Sequence, residues 1–198
     1  MRSEAERHPV TVERTSTGTV IRTRRLTLRP WSVEDTEPAW RIYREQEVAR
    51  WLSPALDVVT DVRAMRDLLD GWSNQEQPPP IGRWAVELSA TDELVGGVAV
   101  LPLPPGGDDL EIGWQLAPNA WGRGIAAEAG HAVAHHAFIA GVEELFAVVR
   151  EQNRRGAATA RRVGMEWVGE TDKYYGLRLQ VFRLRKGDLD IPEQRRPA

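Results

Sequence analysis

The 198-residue chain contains no cysteine. That excludes a disulfide scaffold, a thiolate nucleophile and any cysteine-ligated metal site. Lysine is almost missing too. Lys173 and Lys186 are the only two, and arginine supplies the rest of the 26 basic residues. With 29 acidic residues the net charge is -3, which gives no bulk attraction to nucleic acid or to an anionic membrane surface. No apolar run approaches the length of a bilayer span. Residues 1–8 lack the apolar core of a secretory leader, so the cytoplasm is the expected compartment. His131 and His135 share a helix face with Glu128, but three ligands on one helix seldom close a tetrahedral site, and no metal is expected.

What is present is an ordinary globular balance, 41% hydrophobic and 28% charged, on a chain long enough to bury a core. Residues 1–20 read as a flexible arm, with room for one strand near residues 10–12. A single domain is expected over residues 21–186, and a polar tail over 187–198. Arg25-Leu26-Thr27-Leu28-Arg29 alternates as a strand does, and Pro30 ends it. Ser32 can cap a helix with Glu34, Asp35 and Glu37 in its first turn. Thr60 can cap a second, in which Val62, Met65, Leu69 and Trp72 recur at helical spacing. A stiff proline connector over 77–80 precedes three strand-like runs at 84–88, 94–101 and 110–116. A small-residue helix over 124–140 follows, then a strand over 145–149, a helix over 154–163 stopped by Gly164, and closing strands at Val168 and 177–184. The order predicts an α/β (α+β) fold. Its mixed, mostly antiparallel central sheet has six to seven strands and is flanked by about four helices.

The chemistry concentrates in one stretch. A strand ending at Leu116 leads into a turn with Gly122 and Gly124, which opens directly into a helix. The first amides of a helix have no internal partner, and with the macrodipole they form an anion site. A phosphate or pyrophosphate is expected over residues 122–127, with Arg123 adding a charge-assisted contact. No Gly-Lys-Ser/Thr follows, so this is not the lysine-bearing nucleotide loop. A dinucleotide fold would want the turn after the first strand of a parallel sheet.

Trp121-Gly122-Arg123-Gly124-Ile125-Ala126 resembles the cofactor motif Gln/Arg-x-x-Gly-x-Gly/Ala of the GCN5-related N-acetyltransferases. Arg25 to Trp31 followed by Glu34-Asp35, the block Glu111-Ile112-Gly113-Trp114, and Asn153 with Gly164-Met165 are similar to the branch that acetylates ribosomal-protein N-termini at alanine or serine. The likeness runs in matching order over residues 22–185. It implies the acyl-CoA N-acyltransferase fold, with the sheet splayed at an acetyl-CoA site. By this resemblance Trp114, Gln115 and Leu116 offer backbone groups to the pantetheine arm. Gly122, Arg123, Gly124, Ile125, Ala126 and Ala127 hold the pyrophosphate, Asn153 bonds the pantetheine or the amide of the cofactor, and Arg154 and Arg155 approach the nucleotide phosphates. The implied acceptor is a primary amine, either a protein N-terminus or a small molecule; a homodimer is one assembly the likeness allows.

Trp121 departs from the Gln/Arg at the motif's first position, and three further family positions depart. Val148, Ala160 and Gly156 stand where some members carry a glutamate, a tyrosine and a serine. Glu111, on the strand face shared with Gly113 and Gln115, is the substitute candidate for the general base. Tyr174 or Tyr175 can approach the same point from the far side. Trp31, Trp51, Trp72 and Trp84 are candidates for the wall of a substrate cleft, and His136 for a core histidine. The missing residues keep a second reading open, a non-catalytic acyl-CoA-binding sensor or assembly module. The local arginines at 150, 154, 155, 161 and 162 make a weaker case for nucleic acid, which the charge total opposes.

Overall fold

The computed structural model describes residues 10–52, 55–75, 77–104 and 107–189. Strands β1 (Thr11–Thr15), β2 (Gly18–Arg22), β3 (Leu26–Pro30), β4 (Gly82–Leu88), β5 (Glu93–Pro102), β6 (Leu110–Leu116), β7 (Glu144–Val149), β8 (Glu166–Thr171) and β9 (Leu179–Arg185) form one sheet. Its order is β1-β2-β3-β4-β5-β6-β7-β9-β8. Among the described residues five helices flank it: α1 (Thr36–Tyr43), α2 (Gln46–Ala49), α3 (Val62–Ser73), α4 (Ile125–Ile139) and α5 (Arg154–Val163). No helix among the described residues is long and apolar enough to cross a membrane.

The mostly antiparallel sheet was legible; the strand count was not. The arm expected over residues 1–20 is a hairpin from Thr11 onward, and residues 1–9 lie outside the described part. Thr11 pairs with Arg22 and Thr15 with Gly18 across the hairpin, and β2 continues onto β3 through Ile21 and Leu28. Val20 and Ile21 are buried there. Two apolar residues are too short a signal for periodicity, and their burial is supplied by the neighbouring strand and α4. At the other end a 3₁₀ turn (Lys186–Asp188) and the buried Leu189 carry order past the expected start of the tail.

Caps fall close to their expected places. Ser32 accepts from the Glu34 amide, and Asp35 returns a bond to the Ser32 amide, closing a capping box before α1. Asp35 is also gripped by Arg29, whose guanidinium reaches Glu87 on β4 as well, at 2.7 and 2.5 Å. These bonds tie β3, β4 and the start of α1 together, and hold the Arg29 pKa above its ordinary value, the Asp35 bond contributing most. For α3 the cap is Asp61, not Thr60: its carboxylate accepts from the Ala64 amide at 2.8 Å. A carboxylate one residue nearer the helix serves the orphan amides and the dipole together.

Each sheet face carries its own core. On one, Ile21, Leu28, Val86, Val98, Ile112 and Leu145 pack with α4 and α5. On the other, Trp31, Tyr43, Met65, Leu69 and Ala85 pack among α1 and α3. Trp84 belongs to the first core, not to the cleft wall. Its indole donates to the Thr19 carbonyl and its ring meets His136 edge-on at 5.8 Å. His136 is a buried core histidine, as read from its position on the apolar stripe.

Candidate active site

One strand pair in the sheet is parallel. β6 and β7 meet at Glu111 and Phe146 and share no further register position. Parallel neighbours need a long crossover, here α4, and the strands part beyond this single contact. The gap opens a cleft of about 730 Å³ running from Trp31 and Trp72 past Glu111 to the α4 N-terminus.

At the α4 end Gly122 and Gly124 both adopt φ +74°, a left-handed conformation that favours glycine. Gly124 is the N-cap and has no side chain with which to cap the helix. The first ladder bond runs from the Glu128 amide to the Gly124 carbonyl, so the amides of Ile125, Ala126 and Ala127 precede the intrahelical ladder. A Cβ at Gly122 would meet no protein atom within 4 Å, which leaves the approach to these amides open. Ala126, Ala127, Arg154 and Arg155 line the same end. Arg155 stacks 4.2 Å over the Trp121 ring, and the Trp121 indole donates to the Leu116 carbonyl. Arg123 is exposed at the turn, and its carbonyl accepts from Arg25. Open amides, a helix dipole and flanking guanidinium groups fit a pyrophosphate.

Asn153 also lines the cleft, but its Oδ1 is engaged. It caps α5 by accepting from the Gly156 amide at 2.9 Å. The amide NH₂ is what remains to serve a ligand. A Cβ on Gly156 would lie 2.7 Å from Asn153 Nδ2 and 3.0 Å from Val149, so the cap leaves no room for a serine there. Ala160 is fully buried in the α4–α5 core, and Val148 lines the cleft as an apolar wall.

Glu111, Gly113 and Gln115 do share one face of β6, as the alternation implied. The Gln115 amide donates to the Tyr43 hydroxyl. Gly97 makes that contact possible, since a Cβ there would fall 2.4 Å from Gln115 Nε2 and 2.8 Å from Trp31. Trp114 and Leu116 face the α4 side with Ile112. Glu111 accepts a 2.6 Å hydrogen bond from the Tyr175 hydroxyl. Burial pushes its pKa up to about 7, against the lowering effect of the Tyr175 bond. Tyr175 itself has φ +55°, and its hydroxyl pKa is raised, first by burial and then by the neighbouring carboxylate. Tyr174 points elsewhere: it donates to Asp109, which Lys173 also contacts at 2.8 Å. Trp31, Trp51 and Trp72 line the cleft.

Two features had no signal in the sequence reading. Glu128, weighed there as a metal ligand, latches the β2–β3 connection to α4. It accepts from the Thr23 hydroxyl, the Arg25 amide and the Arg25 guanidinium. Among the described residues no histidine and carboxylate group could hold a metal. The second feature is Arg83, which lines the cleft from β4, two strands away from Glu111.

Residues 25–166 match the family model described as the acetyltransferase (GNAT) domain, and the chain belongs to that family. It is 29% identical over 107 residues to an uncharacterised N-acetyltransferase p20 of Bacillus licheniformis. That match spans 54% of this chain and 59% of p20. It is 25% identical over 156 residues to the uncharacterised N-acetyltransferase YoaA of Bacillus subtilis, spanning 78% of this chain and 87% of YoaA. Mycobacterium smegmatis RimJ, solved in complex with CoA-disulfide, has a similar fold. Its TM-score is 0.70 at 21% identity, over 91% of this chain and 88% of RimJ.

Proposed function

We propose that this chain moves an acetyl group from acetyl-CoA to a primary amine by direct attack within a ternary complex, with Glu111 as general base. The observation that carries the reading is the placing of Glu111. It stands where β6 and β7 part, in the same cleft as the glycine turn, with its carboxylate steadied by Tyr175. Membership of the acetyltransferase family and the CoA species bound to RimJ support the choice of cofactor.

Acetyl-CoA supplies an activated thioester. The amides at residues 122–127 and the flanking arginines bind its diphosphate. Asn153 donates to the pantetheine arm, which lies along Trp114, Gln115 and Leu116 at the free edge of β6. Most amines are protonated at neutral pH, with a lysine-like pKa of ~10.4. A carboxylate titrating near 7 is matched to accepting that proton. The amine lone pair then forms the C–N bond as the C–S bond breaks, and the second proton on that nitrogen passes to the departing thiolate, giving the amide and CoA-SH. A thiolate of pKa ~8.5 needs little acid help to leave.

Thermal shift with acetyl-CoA, followed by free-thiol release across peptides and small amines, tests this reading. Stabilisation by the cofactor with thiol release dependent on an amine is the expected result. Stabilisation with no release across the panel would leave the sensor reading in its place. No stabilisation would overturn both.

A further inference from the structure

Arg83 has no part in acetyl transfer to a simple amine, yet it lines the same cleft as the proposed base. It sits on β4 opposite Ala99, which in turn sits opposite Gly113 on β6. The floor between Arg83 and the Glu111 strand is thus a methyl group and a hydrogen. Two strand spacings, about 10 Å, separate the two backbones, and both residues line the cleft on this face of the sheet. Tyr175 links the two, bonded to Glu111 and within electrostatic reach of Arg83.

The guanidinium is half-buried, 5.1 Å over the Trp72 ring. Among the described residues no carboxylate lies within ion-pair distance of it. Arg29, on the neighbouring strand, has two. Removing a guanidinium from water without a partner is unfavourable, and here burial lowers the Arg83 pKa. The remaining charges at this end, Glu47 and Arg50, are exposed at the rim. A planar guanidinium fork matches a carboxylate in two parallel bonds, and stacking on Trp72 fixes its plane.

We infer that the acceptor is an amine carrying its own carboxylate, a free amino acid or a close relative, whose carboxylate binds Arg83 while its amine faces Glu111. Trp31, Trp51 and Leu56 give its side chain an apolar wall. A peptide N-terminus brings no carboxylate to Arg83, and a polyamine brings a second cation against it. This inference rests on the acetyl-transfer reading for its chemistry but not for its binding step.

The test compares each standard amino acid with its amide and its decarboxylated amine. Affinity for protein saturated with CoA is measured by calorimetry, and thiol release is measured with acetyl-CoA. The expected result is at least one amino acid that binds 10-fold or more tighter than its amide and reacts with a correspondingly higher kcat/KM. The amide carries the less basic amine, so reactivity alone favours it and cannot produce that order. Arg83→Gln should bring acid and amide together, and Arg83→Lys should keep part of the preference. Amides or peptide N-termini used as well as the acids, or a preference unmoved in Arg83→Gln, would overturn the inference. If Arg83→Gln does not fold, the wild-type acid-to-amide ratio decides. Arg83-dependent binding of an acid without thiol release would keep the inference and overturn acetyl transfer.

Discussion

Glu111 and Tyr175 make one titrating unit, and each can be changed separately. Glu111→Gln keeps the shape and removes the base. Turnover should fall on the order of 100-fold or more with acetyl-CoA affinity intact. In wild type, kcat/KM should rise with pH through about 7 as Glu111 ionises. Tyr175→Phe removes a hydrogen bond that favours the carboxylate, so that limb should move to higher pH. An unmoved limb would show that another group titrates. Stability runs the opposite way with pH. The folded protein holds the Glu111 proton above the pH at which the unfolded chain releases it. Raising pH from about 4.5 to about 7 therefore costs stability. Glu111→Gln should gain Tm over wild type across that window. A constant Tm difference from pH 4 to pH 8 would contradict the burial of this carboxylate.

The α4 turn and the α5 cap are local devices. Glycines at 122 and 124 before a small-residue helix state the turn directly, whereas Asn153 was read as a cofactor contact and its capping of α5 emerges only in the folded chain. Gly122→Ala should cost about 1 kcal/mol of stability through its left-handed φ. It should also weaken acetyl-CoA binding, because the strained turn no longer leads the chain into α4 as it does with glycine. Retained affinity in isothermal titration would move the diphosphate off this turn. Asn153→Ala should cost about 1 kcal/mol from the lost cap, together with cofactor affinity. Loss of stability alone would confine Asn153 to capping. The strand face that Glu111 shares with Gly113 and Gln115 was legible too, from alternation along β6. The partner of Glu111 was not. Tyr175 lies 64 residues away, in a turn whose positive φ aims the hydroxyl, and no local pattern reports that. Arg83 and the β2 strand were hidden for a related reason. Their significance comes from neighbours across the sheet, not along the chain.

The sheet as a body is held at two places that bear on the cleft. Arg29 with Asp35 and Glu87 ties β3, β4 and the start of α1 together, and Glu128 with Thr23 and Arg25 fixes the β2–β3 connection to the first turn of α4. Although burial opposes it, the bonds from Thr23 and Arg25 hold the Glu128 pKa below its ordinary value. Its contribution is therefore present at neutral pH and lost as pH falls through the carboxylate range. Glu128→Ala should raise amide hydrogen exchange over residues 18–26 and at the α4 N-terminus together. Faster exchange in the hairpin with α4 unchanged would mean the latch does not support the turn. The opening between β6 and β7 follows from connectivity, since the one parallel pair is the one bridged by α4.

The most direct measurement is a crystal structure of the protein with acetyl-CoA. It should show diphosphate oxygens within hydrogen-bond reach of the amides at residues 124–127, and the thioester carbonyl beside Glu111 where β6 and β7 part. A diphosphate bound away from that helix start, or a thioester remote from Glu111, would contradict the account.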